Sequence, residues 1–204
     1  MKRTETEECI NRLRKVMKAF SGMTDEDFDL SMAYWQLRSY AKGELFNEYS
    51  SPCKHLGFIL EGIFRVYRLH DRSGVEKTMF FFTGDQFMCS FKDFFGPGTC
   101  EYYTQSLSPS RILCIHYDTL QHLYKISPAW NCFGRRFAES ALHNMAINTE
   151  AVMLKNPEER YLELSTASPA VFNSVPLYHI ASYLGIEAPS LSRIRKRITA
   201  RDNE

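Results

Sequence analysis

The sequence predicts an α+β chain: a β unit of the sandwich or jelly-roll kind with helices before it, one long helix after it, and a small helical unit at the end. Three observations carry this. Between residues 34 and 117, short β-branched and aromatic runs alternate with turn signals. After Ser127 and Pro128 the stretch "PAWNCFGRRFAESALHNMAINTEAVMLK" runs 28 residues with no further Pro. The segment "IASYLGIEAPSLSRIRKRI", residues 180–198, sets two short apolar-patterned pieces about a Gly and loads the second with Arg and Lys.

Taken in order, residues 5–33 are helical in pattern. Ile10, Leu13, Val16, Met17 and Phe20 recur three and four apart, and "TDED" at 24–27 begins a second helix with Thr24 as its cap. The strands follow as "HLGFILEG", "IFRVYRLH", "VEKTMFFF", "QFMCSF", "EYYTQSL" and "RILCIHY", with Gly62 breaking the first pair and "DRSG" turning the next. Ser127 and Pro128 have the form of an N-cap and first helical residue. A helix through 155 would extend about 42 Å at 1.5 Å per residue, longer than a small domain needs.

In heptads, Trp130, Phe137, Asn144 and Ala151 share one seam position of that helix, and Phe133, Ser140, Ile147 and Leu154 share the other. This stripe suits a dimer contact in which polar residues fix the register; the same stripe would also serve to pack on the chain's own β unit. Asn156, Pro157 and Glu159 restart the chain as cap, first residue and capping partner of another helix. A division into 1–127, 128–155 and 156–204 follows. In the last part, a helix to about 166 and a loop "SPAVFNSVP" precede the two short terminal helices.

Composition narrows the class. At 204 residues, with 44% apolar, 24% charged and 14% aromatic residues, the chain can bury a real core and is expected to form two units. No run approaches eighteen consecutive apolar residues, and the amphipathic start "MKRTETEECINRLRKVMKAF" has no apolar signal-peptide core. A cytoplasmic address and no membrane partner are therefore expected. The cysteines Cys9, Cys53, Cys89, Cys100, Cys114 and Cys132 have no CxxC rhythm and the histidines no HxxH or HExxH spacing, so neither a metal site nor a disulfide framework is expected. No GxSxG or phosphate-cradling Gly-rich loop occurs either, and nothing promotes an enzyme.

The terminal segment is the most specific. Leu191, Ile194 and Ile198 share one helix face that can pack on Ile180, Ala181 and Leu184. The opposite face carries Ser192, Arg193 and Lys196, with Ser190 and Arg197 on its flanks. A second, basic helix after a Gly turn is the sequence form of a helix-turn-helix, with side chains able to reach phosphates and base edges of double-stranded DNA. A basic helix end can also be a solvated surface favoured by the helix dipole; the "IASYLGI" segment in front of it points to DNA.

With these parts in this order, "LEGIFRVY", "FFFTGDQF", the long helix and "IASYLGIEAPSLSRIRKRI", the chain resembles the Crp/Fnr family of bacterial transcription regulators over nearly its whole length. The resemblance implies a cyclic-nucleotide-binding-type β-roll, a double-stranded β-helix, as sensor. It also implies homodimers formed through the long helix and one recognition helix per DNA half-site. Against that pattern, Met88, Cys89 and Ser90 stand after Gly84 and Asp85 where cyclic-AMP-binding members have Gly-Glu-Leu. No Arg occurs from Val75 through Ser110, which leaves Lys92 as the substitute cation. An unpaired phosphate in a partly desolvated pocket is costly, so cyclic AMP binding in the usual mode is not expected, no cofactor is implied, and any small-molecule effector is unidentified. Only Cys9 precedes Cys53, against an iron-sulfur sensor. After Ile198 only "TARDNE" follows, so the family's β-hairpin wing is expected to be missing. Ala188 and Pro189 stand where cyclic-AMP-responsive members have Arg and Glu for base readout. The alternative to a DNA regulator is a small-molecule- or cyclic-nucleotide-binding module that acts through a protein partner.

Overall fold

The computed structural model describes residues 2–95 and 98–201. Helix α1 (Lys2–Ser21) is followed by α2 (Asp25–Asp29). The reciprocal Thr24–Asp27 capping box starts α2: Asp27 N–H donates to Thr24 Oγ1 at 3.2 Å and Thr24 N–H donates to Asp27 Oδ2 at 3.0 Å.

The β unit then forms from β1 (Gln36–Tyr40), β2 (Leu45–Asn47), β3 (His55–Glu61), β4 (Phe64–Leu69), β5 (Glu76–Phe82), β6 (Phe87–Met88), β7 (Tyr103–Ser106) and β8 (Ser110–His116), with the single-turn α3 (Phe91–Phe94) between β6 and β7. They make two antiparallel sheets, ordered β1-β8-β3-β6 and β2-β7-β4-β5. Alternation along the strands sends Ile59, Phe64, Val66, Phe82, Met88 and Ile112 between the sheets, where they form one apolar cluster. Gly62 joins β3 to β4 at φ 100°, and a Cβ there would stand 1.9 Å from Ser110 Oγ, so only Gly permits the turn.

Helix α4 (Tyr117–Ile126) leads to α5 (Pro128–Leu154), which opens as expected with Ser127 Oγ accepting from Trp130 N–H at 3.4 Å. The two helices approach closely at Gly134, where a Cβ would lie 2.8 Å from the Tyr124 ring. One expectation is corrected here. Trp130, Phe133 and Phe137, read as a dimer seam, are 0%, 0% and 5% exposed within the chain's own core, against Leu13 and Met17 of α1 and Phe58 of β3. Trp130 Nε1–H also donates to the Asp27 carbonyl at 2.8 Å. Bulky aromatics gain most from full burial, and the roll and α1 offer it without a second chain.

Lys155 is extended, and Asn156 caps α6 (Pro157–Ala167) with its side chain accepting from Glu158 and Glu159 N–H at 2.9 and 3.1 Å. The segment expected as a loop holds a further helix, α7 (Pro169–Ser174), because Pro169 sits at the first helical position, where Pro does no harm. Helices α8 (Leu177–Tyr183) and α9 (Ala188–Arg201) follow. Of the terminal "TARDNE", residues 199–201 continue α9, and the rest, on which the expected absence of a wing also bears, lies outside the described residues. The second core, of Leu164, Val171, Ile180, Leu184, Leu191 and Ile194, includes Ile63 and Leu107 of the β unit. The terminal helices are therefore docked on the roll through apolar contact.

Candidate nucleic-acid interface and sensor interior

Helix α8 is stopped by a Schellman arrangement. Gly185 takes φ 68°, its N–H donates to the Ser182 carbonyl at 3.1 Å, and Ile186 N–H reaches the Ala181 carbonyl at 3.0 Å. Leu191 and Ile194 of α9 are buried against Ile180, Ala181 and Leu184, so the face carrying Ser192, Arg193 and Lys196 is outward and exposed. Among the described residues, Arg193 and Lys196 make no ion pair. Arg197 does: it binds Glu158 of α6, which also accepts from Arg201 Nη1 at 2.7 Å. Ser192 Oγ donates back to the Ala188 carbonyl at 3.1 Å, and Ser190, half-buried, donates its N–H to the Glu187 carbonyl at 3.0 Å. Arg193 and Lys196, singled out from the sequence, are exposed, whereas Arg197, singled out with them, is drawn onto Glu158, a partner the sequence did not reveal.

Inside the roll, the residues expected to make an effector pocket do not converge. Asp85 sits at φ 64° and turns its carboxylate to α1, where Arg12 Nε donates to it at 2.7 Å and has its own pKa raised by that bond. Met88 is fully buried among the inter-sheet apolar residues. Cys89 is 1% exposed, and burial lifts its thiol pKa, leaving it protonated and a poor nucleophile. Ser90 Oγ donates to the buried Asp93 carboxylate at 2.5 Å, which also accepts from Glu101 N–H and Cys100 Sγ at 3.1 Å each. Lys92 points outward to Glu101 at 2.6 Å, a carboxylate it shares with Arg68. Gly84 lies over the Leu60 carbonyl and Arg12. Of these six residues, Asp85 borders a cavity of about 490 Å³ that lies beneath α5 and the terminal unit and is also lined by Phe82 and Phe91.

The junction holding the terminal unit was not legible beforehand. Arg65 of β4 is 2% exposed. Its guanidinium donates to Glu76 at 2.5 Å, to Gln105 at 2.7 and 3.0 Å and to His179 Nδ1 at 2.6 Å, and it lies 4.0 Å over the Tyr67 ring. Beside it, Ser182 Oγ accepts from Thr78 N–H at 3.0 Å and donates to the Glu76 carbonyl at 2.8 Å. Because Arg has no acceptor, His179 must offer a bare Nδ1 and be neutral. Burial first, and Arg65 second, hold His179 down to about 4, against an opposing pull from Glu76.

The direction of the pH effect follows. With the native His179 pKa below that of the unfolded chain, the native state binds fewer protons between about pH 6.5 and about 4, so its contribution is whole above that window and is lost as pH falls through it. His55, also near 4, acts in the same sense, and the His179→Gln variant separates the two by keeping an acceptor that does not titrate. Urea unfolding at about pH 7 and about pH 5 should show a larger loss of midpoint in the wild type than in the variant; equal losses would remove His179 from the account.

No family model matches the sequence, and no curated protein matches it either. Solved structures do. A putative Crp/Fnr transcriptional regulator from Eubacterium rectale is 13% identical with TM-score 0.70, covering 88% of this chain and 85% of its own. FixK2 from Bradyrhizobium japonicum is 16% identical with TM-score 0.68, covering 82% and 86%. CLP from Xanthomonas campestris, a c-di-GMP-responsive global regulator, is 16% identical with TM-score 0.65, covering 88% and 93%. At these identities the likeness concerns backbone architecture: the chain has the fold of the Crp/Fnr transcriptional regulators, a β-roll, a long helix and terminal helices in one order.

Proposed function

We propose that this protein is a cytoplasmic, DNA-binding transcriptional regulator of the Crp/Fnr type, active as a homodimer, with the usual cyclic nucleotide site lost. The observation that carries the reading is the outward basic face of α9, held by the Gly185 stop of α8 with Arg193 and Lys196 unspent on ion pairs among the described residues. Charge reversal tests it. The double variant Arg193→Glu, Lys196→Glu should fold as the wild type does and lose salt-dependent retention on double-stranded DNA, with the log-log salt slope reduced by about 2. Retention unchanged by the reversal would favour a module that works through a protein partner.

Dimerisation is assigned to a different stripe of α5 from the one first expected. With Trp130, Phe133 and Phe137 committed inward, and with Asn144 and Ile147 bordering the cavity, the seam passes to Leu142, Met145 and Val152. These are 69%, 47% and 64% exposed and spaced three and seven apart, with Thr149 between them. That stripe is rotated by about 100° from the inner one at 100° per residue. Apolar side chains so exposed along one helix face need a cover, and an identical helix matches them in length and pattern. Leu142→Glu combined with Met145→Glu is expected to give monomers in sedimentation equilibrium without lowering helix content; a dimer that survives both would place the interface elsewhere.

The loss of the nucleotide site rests on Met88 filling the inter-sheet space and Lys92 facing outward onto Glu101. Cyclic AMP should therefore leave the thermal midpoint unchanged, whereas a ligand at a hundred times its Kd would stabilise a two-state protein by about 2.7 kcal/mol. A saturable shift would restore a nucleotide effector to the scheme.

A further inference from the structure

The cations of α9 are unequally placed. Arg193, Arg197 and Arg201 follow one another at intervals of four, so they form one row that starts on the outward face and winds toward α6 by about 40° per step. Arg193, at the head of the row, makes no ion pair among the described residues, while Arg197 and Arg201 both close on the carboxylate of Glu158. On the other flank Arg195 donates to the Tyr161 hydroxyl. The remaining glutamates of α6 are engaged elsewhere: Glu159 accepts from Asn156 N–H at 2.8 Å, and Glu163 pairs with Lys155. Among the described residues, Glu158 is thus the carboxylate that α6 directs at α9.

This contact holds its members unequally. The Glu158 side chain is 18% exposed and sits in the first turn of α6, where the helix dipole and the free N–H groups favour a negative charge with or without a cation nearby. The side chains of Arg197 and Arg201 are 53% and 65% exposed, so water already competes for them and each pair adds little net stability. Parting the contact therefore costs little on either side. A phosphate backbone offers the same guanidinium groups charge-assisted, two-pronged bonds, and binding there also releases condensed counterions, a gain the carboxylate cannot match.

We propose that Glu158 is a built-in competitor for DNA: it holds Arg197 and Arg201 against α6 in the free protein and surrenders them to the phosphate backbone once Arg193 and Lys196 have docked. The docked helix then uses the whole arginine row, with Arg193 at the groove and Arg197 and Arg201 along its wall. The claim rests on the DNA-binding reading and adds to it an internal contact that holds the affinity down.

The test is fluorescence anisotropy of a labelled mixed-sequence DNA duplex titrated with the full chain over a range of salt. Glu158→Gln, which keeps the side chain's shape and removes its charge, is expected to bind at least about threefold tighter than the wild type, a modest factor because the lost contact is an exposed one. Arg197→Gln with Arg201→Gln is expected to bind more weakly and to lower the log-log salt slope by about 2 for each bound chain. Adding Glu158→Gln to that pair should then change nothing, because the carboxylate has no cation left to withhold. A gain that persists undiminished in the triple variant is general charge repulsion and overturns the proposal. Equal binding by the wild type and Glu158→Gln, or a salt slope indifferent to Arg197 and Arg201, overturns it as well. Glu158→Ser supplies the same release should Glu158→Gln melt early. Wild-type DNA binding that neither Glu158 variant alters refutes the competitor and keeps the regulator, whereas no DNA binding by any of these proteins refutes the regulator and the competitor with it. Binding seen only once Glu158 is replaced supports both.

Discussion

A guanidinium almost without water contact joins the two halves of this molecule. Removing a charge from solvent costs several kcal/mol unless every donor finds a partner, and Arg65 is surrounded accordingly, by the Glu76 carboxylate, the Gln105 amide, the neutral His179 ring and the face of Tyr67. Three of these four belong to the roll, and only His179 belongs to the terminal unit. The roll therefore carries most of the cost of burying Arg65, and α8 completes the arrangement by lending one acceptor. That asymmetry makes the position of α8, and of the α9 helix fixed to it through Gly185, depend on one neutral ring nitrogen and one serine hydroxyl together with apolar contact.

The long helix is shaped by a second constraint, since it has too many apolar residues for one partner. Its first half completes the core of the roll, where Trp130 and Phe133 are wholly buried, while Leu142, Met145 and Val152 lie on another side. The period of this helix was legible from its sequence, and so were its cap at Ser127 and its end before Asn156. The partner of each stripe was not. Heptad spacing reports that residues share a face and carries no information on whether the facing surface belongs to the same chain. The large aromatics went where full burial was available, and the aliphatic residues were left outside.

Local chemistry was read well and distant chemistry poorly. The Gly62 break, the Thr24 capping box and the two-helix terminal segment each depend on residues within a few positions of one another, and each takes the form its sequence suggests. Lys92 was weighed as a pocket cation because nothing nearby in sequence revealed that Glu101 would draw it outward. Arg65 and His179 stand 114 positions apart, and neither residue type is unusual where it occurs, so no periodicity could have joined them. The α7 helix was missed for another reason: its two flanking prolines look like loop punctuation, yet Pro169 occupies the one helical position that tolerates it.

The contact between Glu158 and the far end of α9 also bears on kinetics. With Arg197 and Arg201 both drawn onto that carboxylate and a formal net charge of +1 for the whole chain, the cationic run looks much weaker from a distance than it does in the sequence. Beyond a Debye length of about 8 Å at physiological salt, a polyanion meets a nearly neutral body. On the DNA-binding reading proposed above, such a protein gains little long-range guidance, and its rate of encounter should be set by ordinary diffusion and orientation, with Arg193 and Lys196 acting only after contact.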